Sequence, residues 1–321
     1  MKVCIAGLGA IGGLFAARLS AAGHDVSALA RGATLAAVRE HGLALTSIQG
    51  ERSVQCIHAA ADARELPVPD LLVIAMKGHA LAADARALAP LIGPQTVVLP
   101  AMNGVPWWFV RDTTLASVDP QGHIGATLPL AATLGAVVHL TCHTTAPGDV
   151  RHGLGERVIV GEPAGGASPR AEAVAATLAS AGFEAEASAD IRREIWFKLW
   201  GNMTMNPVSA LTGAACDAIL DDELVRGFMA AAMGEAAAIG ARIGCPTLQS
   251  AEARMAVTRQ LGRFKTSMLH DAEAGRALEI DALIGAVREI GQRVGPATPN
   301  IDALLGLVRL MARTRGLVLA A

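Results

Sequence analysis

The sequence predicts an α/β Rossmann-type N-terminal domain followed by an all-α C-terminal domain. Three observations carry that reading. Short apolar or β-branched runs alternate with helical patterns through the first third of the chain, a glycine motif follows the first run directly, and helical spacing dominates from Pro169 onward.

Lys2 to Ala6 reads as the first strand, about Gly12 to Ala22 as a helix, and Asp25 to Leu29 as the second strand. Leu71 to Ala75 and Thr96 to Leu99 continue the pattern, which is that of a parallel sheet with crossover helices. Two more apolar runs, Ala136 to Leu140 and Arg157 to Val160, flank the turn-rich Ala146-Pro147-Gly148-Asp149 and predict extension of the sheet by a hairpin. Beyond Pro169, Ala, Leu, Met and Arg recur at helical spacing, with turns at Gly182, Gly213, Gly244-Cys245-Pro246 and Gly295-Pro296. The boundary is expected near residues 186–190, giving domains of residues 1–188 and 189–321.

Charge narrows the partners. With 27 basic and 29 acidic residues, the chain has no excess of charge with which to grip nucleic acid or an anionic membrane surface, so a small molecule is the expected partner. The longest uncharged stretch, Pro120 to Gly148, is interrupted by Gly125, Pro129 and Gly135 and by three histidines, unlike a membrane span. Gly7, Gly9, Gly12 and Gly13 punctuate the N-terminal apolar run in a way a secretory leader does not require, and a cytoplasmic protein is expected. The five cysteines are scattered and form no C-x-x-C pair, as reduced thiols do. His139, His143 and His152 fall short of a convergent ligand set, and no metal is expected. There is no P-loop and no G-x-S-x-G elbow.

Gly7-Leu8-Gly9-Ala10-Ile11-Gly12 follows a strand and opens a helix, the context in which such glycines bind a dinucleotide. The first permits a tight turn, the second lets the backbone approach a pyrophosphate, and the third lets helix pack on strand, while the helix N-terminus offers N–H groups to the anion. At the end of the second strand, where an NAD site places a carboxylate for the ribose hydroxyls, stands Arg31, whose planar fork suits a 2′-phosphate. The expected cofactor is NADPH/NADP.

The segment from Ile191 to Pro207 carries the chemistry. As a helix it places Glu194, Lys198, Asn202 and Asn206 on one line among Trp, Leu and Met, a polar edge suited to lining a cavity. Hydride addition to a ketone leaves its oxygen anionic, and a desolvated lysine can supply the proton. Spacing alone leaves open an ordinary Glu194–Lys198 helix ion pair.

Arg193-Glu194-Ile195-Trp196-Phe197-Lys198-Leu199, followed by Asn202 and Asn206-Pro207, resembles the catalytic helix of the ketopantoate reductase family. The glycine motif, Lys77, Asn103-Gly104 and Leu278-Glu279-Ile280-Asp281 match further motifs of that family in the same order, across roughly residues 1 to 300. The resemblance implies Lys198 as general acid, with Glu279 as a second catalytic residue that helps bind substrate or orient the lysine. It places Asn103, Asn202, Asn206 and Ser267 on the substrate and Arg31 and Lys77 on the cofactor phosphates, with Asn103 bordering the cofactor as well. It implies NADPH-dependent reduction of a 2-oxo acid to a 2-hydroxy acid, above all ketopantoate to pantoate, and a homodimer is compatible with the apolar helical part.

The chain departs from the family pattern at Phe264 and Cys216, where asparagines are common, and Trp107-Trp108-Phe109 adds bulk after Asn103-Gly104. Loss of amides shifts preference toward a less hydroxylated substrate. The alternatives are therefore a reductase of a different 2-oxo acid, or a catalytically inactive NADP(H)-sensing module.

Overall fold

A computed structural model describes residues 1–110 and 113–318. The chain divides into two compact units, one made of Met1–Met102 and Gln121–Arg192, the other of Asn103–Pro120 and Arg193–Ala321.

In the first unit, β1 (Lys2–Ala6), α1 (Ala10–Ala21), β2 (Asp25–Leu29) and α2 (Gly32–His41) are followed by β3 (Leu43–Thr46), β4 (Arg52–Gln55) and β5 (His58–Ala60). Next come β6 (Leu71–Ile74), α3 (Gly78–Asp84), β7 (Val97–Pro100), α4 (His123–Thr127), β8 (Gly135–His139), β9 (Cys142–Ala146), β10 (Asp149–His152), β11 (Arg157–Gly161), α5 (Pro169–Ser180) and β12 (Glu184–Ser188). Five strands form a parallel sheet in the order β5-β2-β1-β6-β7, with Val3 opposite both Val26 and Leu71. β1 and β6 are almost wholly buried, which is why they read as unbroken apolar runs.

The expected hairpin extension is more elaborate than the sequence suggested. β8 and β11 do pair antiparallel, but with β12 they form a sheet of their own. The turn at Ala146 to Asp149 joins β9 to β10, and these belong to another sheet, ordered β4-β3-β10-β9. β12 interrupts the helical run expected from Pro169. Its Glu-Ala-Glu-Ala-Ser alternation has period two, but alanine is too weakly apolar to mark an edge strand.

This second sheet explains the composition of α1. The helix packs on β1 and β2 and also on β3, β9 and β10, so Leu14, Phe15, Ala16, Ala17 and Leu19 are all buried. Phe15 lies 4.7 Å from Phe183 between ring centres. Gly13 leaves room for Val150, whose Cγ2 would lie 2.6 Å from an added Cβ.

The second unit contains α6 (Ile191–Thr212) from its third residue onward, α7 (Cys216–Asp221), α8 (Glu223–Arg242), α9 (Ala251–Gln260), α10 (Ser267–Glu273), α11 (Ala286–Val294) and α12 (Pro299–Thr314). A π-helical turn, Asp281–Gly285, leads into α11. The sequence boundary at 188/189 gives residues 103–120 to the nucleotide half, whereas they pack with the helices. Phe109 is fully buried and stacks on Trp196 at 5.8 Å, and Val105 bonds to the π-helical turn. α8 is long and apolar enough to cross a membrane by length and composition, but its Met229, Ala232, Met233, Ala236 and Ile239 are buried and it packs on α7, α9, α11 and α12.

Gly12 is the tightest glycine near the first turn, since an added Cβ would lie 1.9 Å from the Gly7 carbonyl oxygen. Gly12→Ala is expected to destabilise the fold by about 1–3 kcal/mol, read as a lowered thermal midpoint. A midpoint equal to that of the wild type would show that α1 can move aside.

Candidate functional site

In the first unit the glycine segment expected to cradle a dinucleotide joins β1 to α1. Gly7 adopts φ +99° and its N–H donates to the Leu29 carbonyl at 3.0 Å, tying the turn after β1 to the end of β2. Gly9 caps α1 without a side chain, and an added Cβ there would meet nothing within 4 Å, so a ligand can approach the backbone. Ala10, Ile11 and Gly12 form the first helical turn, whose N–H groups have no partner within the helix, and no acidic residue stands there to oppose an anion. Leu8 is buried and fixes the turn from beneath.

Arg31 and Lys77 cap the N-termini of α2 and α3. Arg31 Nη1 donates to Asp84 Oδ2 at 2.9 Å, and the two side chains are 57% and 35% exposed, so the guanidinium is accessible to a phosphate while being shared with a carboxylate. The sequence reading missed Asp84. It lies 53 residues from Arg31, and nothing in its local pattern marks it. These residues fit a dinucleotide carrying a 2′-phosphate: bare glycine backbone and a helix N-terminus for the pyrophosphate, and a fork-shaped cation for the ribose end.

The second unit holds the catalytic candidates. α6 runs unbroken through the segment predicted as a helix, with Ile195, Trp196, Leu199, Trp200 and Met203 buried. Trp200 Nε1 donates to the Met233 carbonyl of α8 at 2.7 Å and anchors the helix. On the same helix Lys198 is half-buried, and its Nζ donates to Asn103 Oδ1 at 2.7 Å. Desolvation pushes the lysine down to about 8, partly opposed by the negative charge of Glu279. The charge acting on Lys198 thus comes from Glu279, 81 residues along the chain by their numbers, and not from the helix neighbour Glu194.

Asn202 is half-buried and Asn206 buried, on the same line of α6 as Lys198. Among the described residues neither side-chain amide is hydrogen-bonded to the chain, so both keep donors and acceptors for a ligand. Pro207 lies inside the helix and withdraws one N–H from the ladder next to Asn206.

A close approach sets the position of Asn103. Gly104 has φ +89°, and an added Cβ would fall 2.6 Å from the Ala282 carbonyl oxygen. That same oxygen accepts from the Val105 N–H at 2.9 Å. The loop carrying Asn103 is thus clipped to the π-helical turn that follows Glu279, and both partners of Lys198 descend from one junction. Extra-residue turns of this kind recur at functional sites, because the added residue re-aims the backbone.

Ser267 is exposed and opens α10, which Thr266 caps through its hydroxyl. Cys216 and Phe264 lie side by side, with the Cys216 N–H bonded to the Phe264 carbonyl at 3.0 Å. The two departures from the family pattern therefore occur at one place. Burial pushes the Cys216 thiol up to about 12, which keeps it neutral. Trp107, Trp108 and Phe109 are all buried, and Phe109 on Trp196 acts as core. His139 and His143 stand on strands of different sheets, and His152 bonds to Arg18 and the Gly155 carbonyl.

Comparison with known proteins bears on this arrangement. The family profile described as Ketopantoate reductase PanE/ApbA matches residues 3–165, and its C-terminal counterpart matches residues 190–312. The chain belongs to the ketopantoate reductase family. It is 44% identical to the 2-dehydropantoate 2-reductase of Mesorhizobium japonicum, with 98% of this chain and 99% of that protein aligned. Among solved structures, a protein of Ralstonia solanacearum MolK2 described as a candidate ketopantoate reductase shares 57% identity at a TM-score of 0.95, covering 98% of this chain and 99% of that one. The 2-dehydropantoate 2-reductase of Methylococcus capsulatus shares 27% identity at a TM-score of 0.85, covering 98% of each chain. The Rossmann-type unit followed by a helical unit is the family fold.

Gly104→Ala combines a strained φ with a clash against backbone, and is expected to cost about 2–4 kcal/mol. Hydrogen exchange at the Val105 amide should quicken accordingly, and unchanged protection there would refute the clip.

Proposed function

We propose that the chain reduces a 2-oxo acid to the 2-hydroxy acid with NADPH, converting ketopantoate to pantoate, with the first unit holding the cofactor and the second the substrate. The observation that carries the reading is the lysine lowered to about 8 and bonded to Asn103 at 2.7 Å. NADPH, when bound, supplies the hydride equivalent. Gly7 to Gly12 would hold its pyrophosphate, and Arg31 and Lys77 would pair with its phosphates.

Lys198 is the general acid. Its Nζ proton passes to the substrate oxygen as negative charge gathers there, and a lysine near neutrality surrenders that proton more readily than one at the ordinary value. Asn103 aims the ammonium, and Glu279 keeps enough of it protonated to act. Asn202, Asn206 and Ser267 hold the substrate oxygens. The neighbouring Cys216 and Phe264 present no amide to a hydroxyl, which widens tolerance toward less hydroxylated 2-oxo acids. The protein works in the cytoplasm, to which its free cysteines are suited. It forms a homodimer through the helical unit, where Leu224, Leu248 and Leu261 are exposed.

Purified protein should oxidise NADPH with ketopantoate, and Lys198→Ala should cut kcat by about 10²–10⁴-fold. Cofactor binding without turnover of any 2-oxo acid would favour the sensing module. The protonated lysine is the active form, so kcat/KM should be full below about 8 and fall as pH rises through that value. Glu279→Gln removes the charge that raises the lysine and should move the falling limb to lower pH. An unmoved limb would exclude Glu279 from this role.

Asp84 competes with a 2′-phosphate for Arg31. Asp84→Asn should lower KM for NADPH by about 2- to 5-fold and leave KM for NADH unchanged. Equal effects on both cofactors would separate Arg31 from the 2′-phosphate.

A further inference from the structure

The helical unit holds a cation that the reaction described above does not use. Arg254, on α9, lays its guanidinium against α6, with Cζ 5.4 Å from the centre of the Phe197 ring. A Cβ added at Gly201 would fall 3.2 Å from Nη2 and 3.3 Å from Nε. Glycine inside a helix costs about 1 kcal/mol relative to alanine, and here its bareness makes the seat for the guanidinium.

The charge seated there has no counter-ion among the described residues. Nη1 donates to Thr258 Oγ1 at 3.3 Å, while Nε is sealed from solvent without a hydrogen-bond partner. Among the described residues no carboxylate reaches ion-pair distance of Arg254, whereas Arg259, further along the same helix, pairs with Asp221. Desolvation lowers the Arg254 pKa with no opposing charge, yet a guanidinium remains protonated in water at any working pH. A fixed, partly desolvated and unpaired cation is unfavourable in the protein alone.

Its place on α6 suggests the missing partner. Gly201 follows Lys198 by three residues, about 60° around the helix, so Arg254 flanks the face that carries the proton donor. The other groups assigned to the substrate, Asn103, Asn202, Asn206 and Ser267, are neutral, and Lys198 gives up its proton during reaction. We propose that Arg254 receives a carboxylate of the 2-oxo acid, its planar fork donating to both oxygens one turn along α6 from Lys198. This inference rests on the reductase reading above.

The test is steady-state kinetics of the full-length protein with NADPH, comparing the wild type with Arg254→Met and Arg254→Lys on 2-oxo mono- and dicarboxylates. Arg254→Met is expected to raise KM for the acid about 100-fold, with kcat less affected and KM for NADPH unchanged. Arg254→Lys should recover part of the loss. The thermal midpoint of the methionine variant should equal or exceed that of the wild type, because an unpaired charge has been removed. A loss shared by monocarboxylates places the guanidinium on the carboxylate beside the ketone, and a loss confined to dicarboxylates places it on the distal one.

An unchanged acid KM in folded Arg254→Met overturns the inference. So does a lowered midpoint with both KM values raised together, which marks Arg254 as packing for Phe197. If the methionine variant is insoluble, the lysine variant decides by the same comparison, with an unaltered acid KM counting against the inference. If the wild type turns over no acid, calorimetric binding of oxamate to the NADP-saturated protein separates the two readings. Binding lost in the variant sustains the carboxylate receptor while the reductase reading fails, and binding equal in both proteins overturns the receptor.

Discussion

The requirement to keep one ammonium partly desolvated, yet precisely aimed, organises the helical unit. Trp196, Leu199, Trp200 and Met203 bury the face of α6 that packs into the unit, and burial of Lys198 itself lowers its pKa. The cost of that burial is contained by two neighbours of different kinds. Asn103 accepts a hydrogen bond without adding charge, and Glu279 adds charge that opposes the desolvation. Both reach the lysine from the region where Gly104 meets Ala282, so one backbone contact governs direction and acidity together.

The nucleotide half obeys a different constraint, the need to bring backbone close to a polyanion. Side chains are absent where a ligand has to approach, at Gly9, and where chain meets chain, at Gly7 and Gly12. α1 is held from both sides, by the parallel sheet and by the β4-β3-β10-β9 sheet, so its N-terminus is fixed before any ligand arrives. Polar groups at its rim, Arg31 with Asp84, are by contrast exposed and exchangeable.

Much of this was legible in the sequence because it is written in local periodicity. β6 and β7 are continuous apolar runs and β1 is one after Lys2, the glycine turn sits between strand and helix, and the spacing of Lys198, Asn202 and Asn206 survives intact on α6. What stayed hidden depends on distant partners. Spacing could not choose between Glu194 and Glu279 as the charge acting on Lys198, because only the fold brings residue 279 near. The pairing of β10 with β3 spans about a hundred residues, and the alternation in β9 and β10 does not say which strand they will join. Arg254 gave no signal at all, since an arginine four residues into a helix reads as a solvated face until its lack of a counter-ion among the described residues is seen.

The path of the chain has its own consequence. It leaves the nucleotide-binding unit after Met102, returns at Gln121 and leaves again after Arg192, so the helical unit is assembled from two separate stretches. The first of these supplies Phe109 to Trp196, Val105 to Ala282, and the carboxamide that aims Lys198. A recombination with one junction, at any point between the two stretches, would leave a helical bundle with an aromatic core half emptied and its lysine unaimed. The two halves of this enzyme are thus spliced together and can be inherited only as a whole.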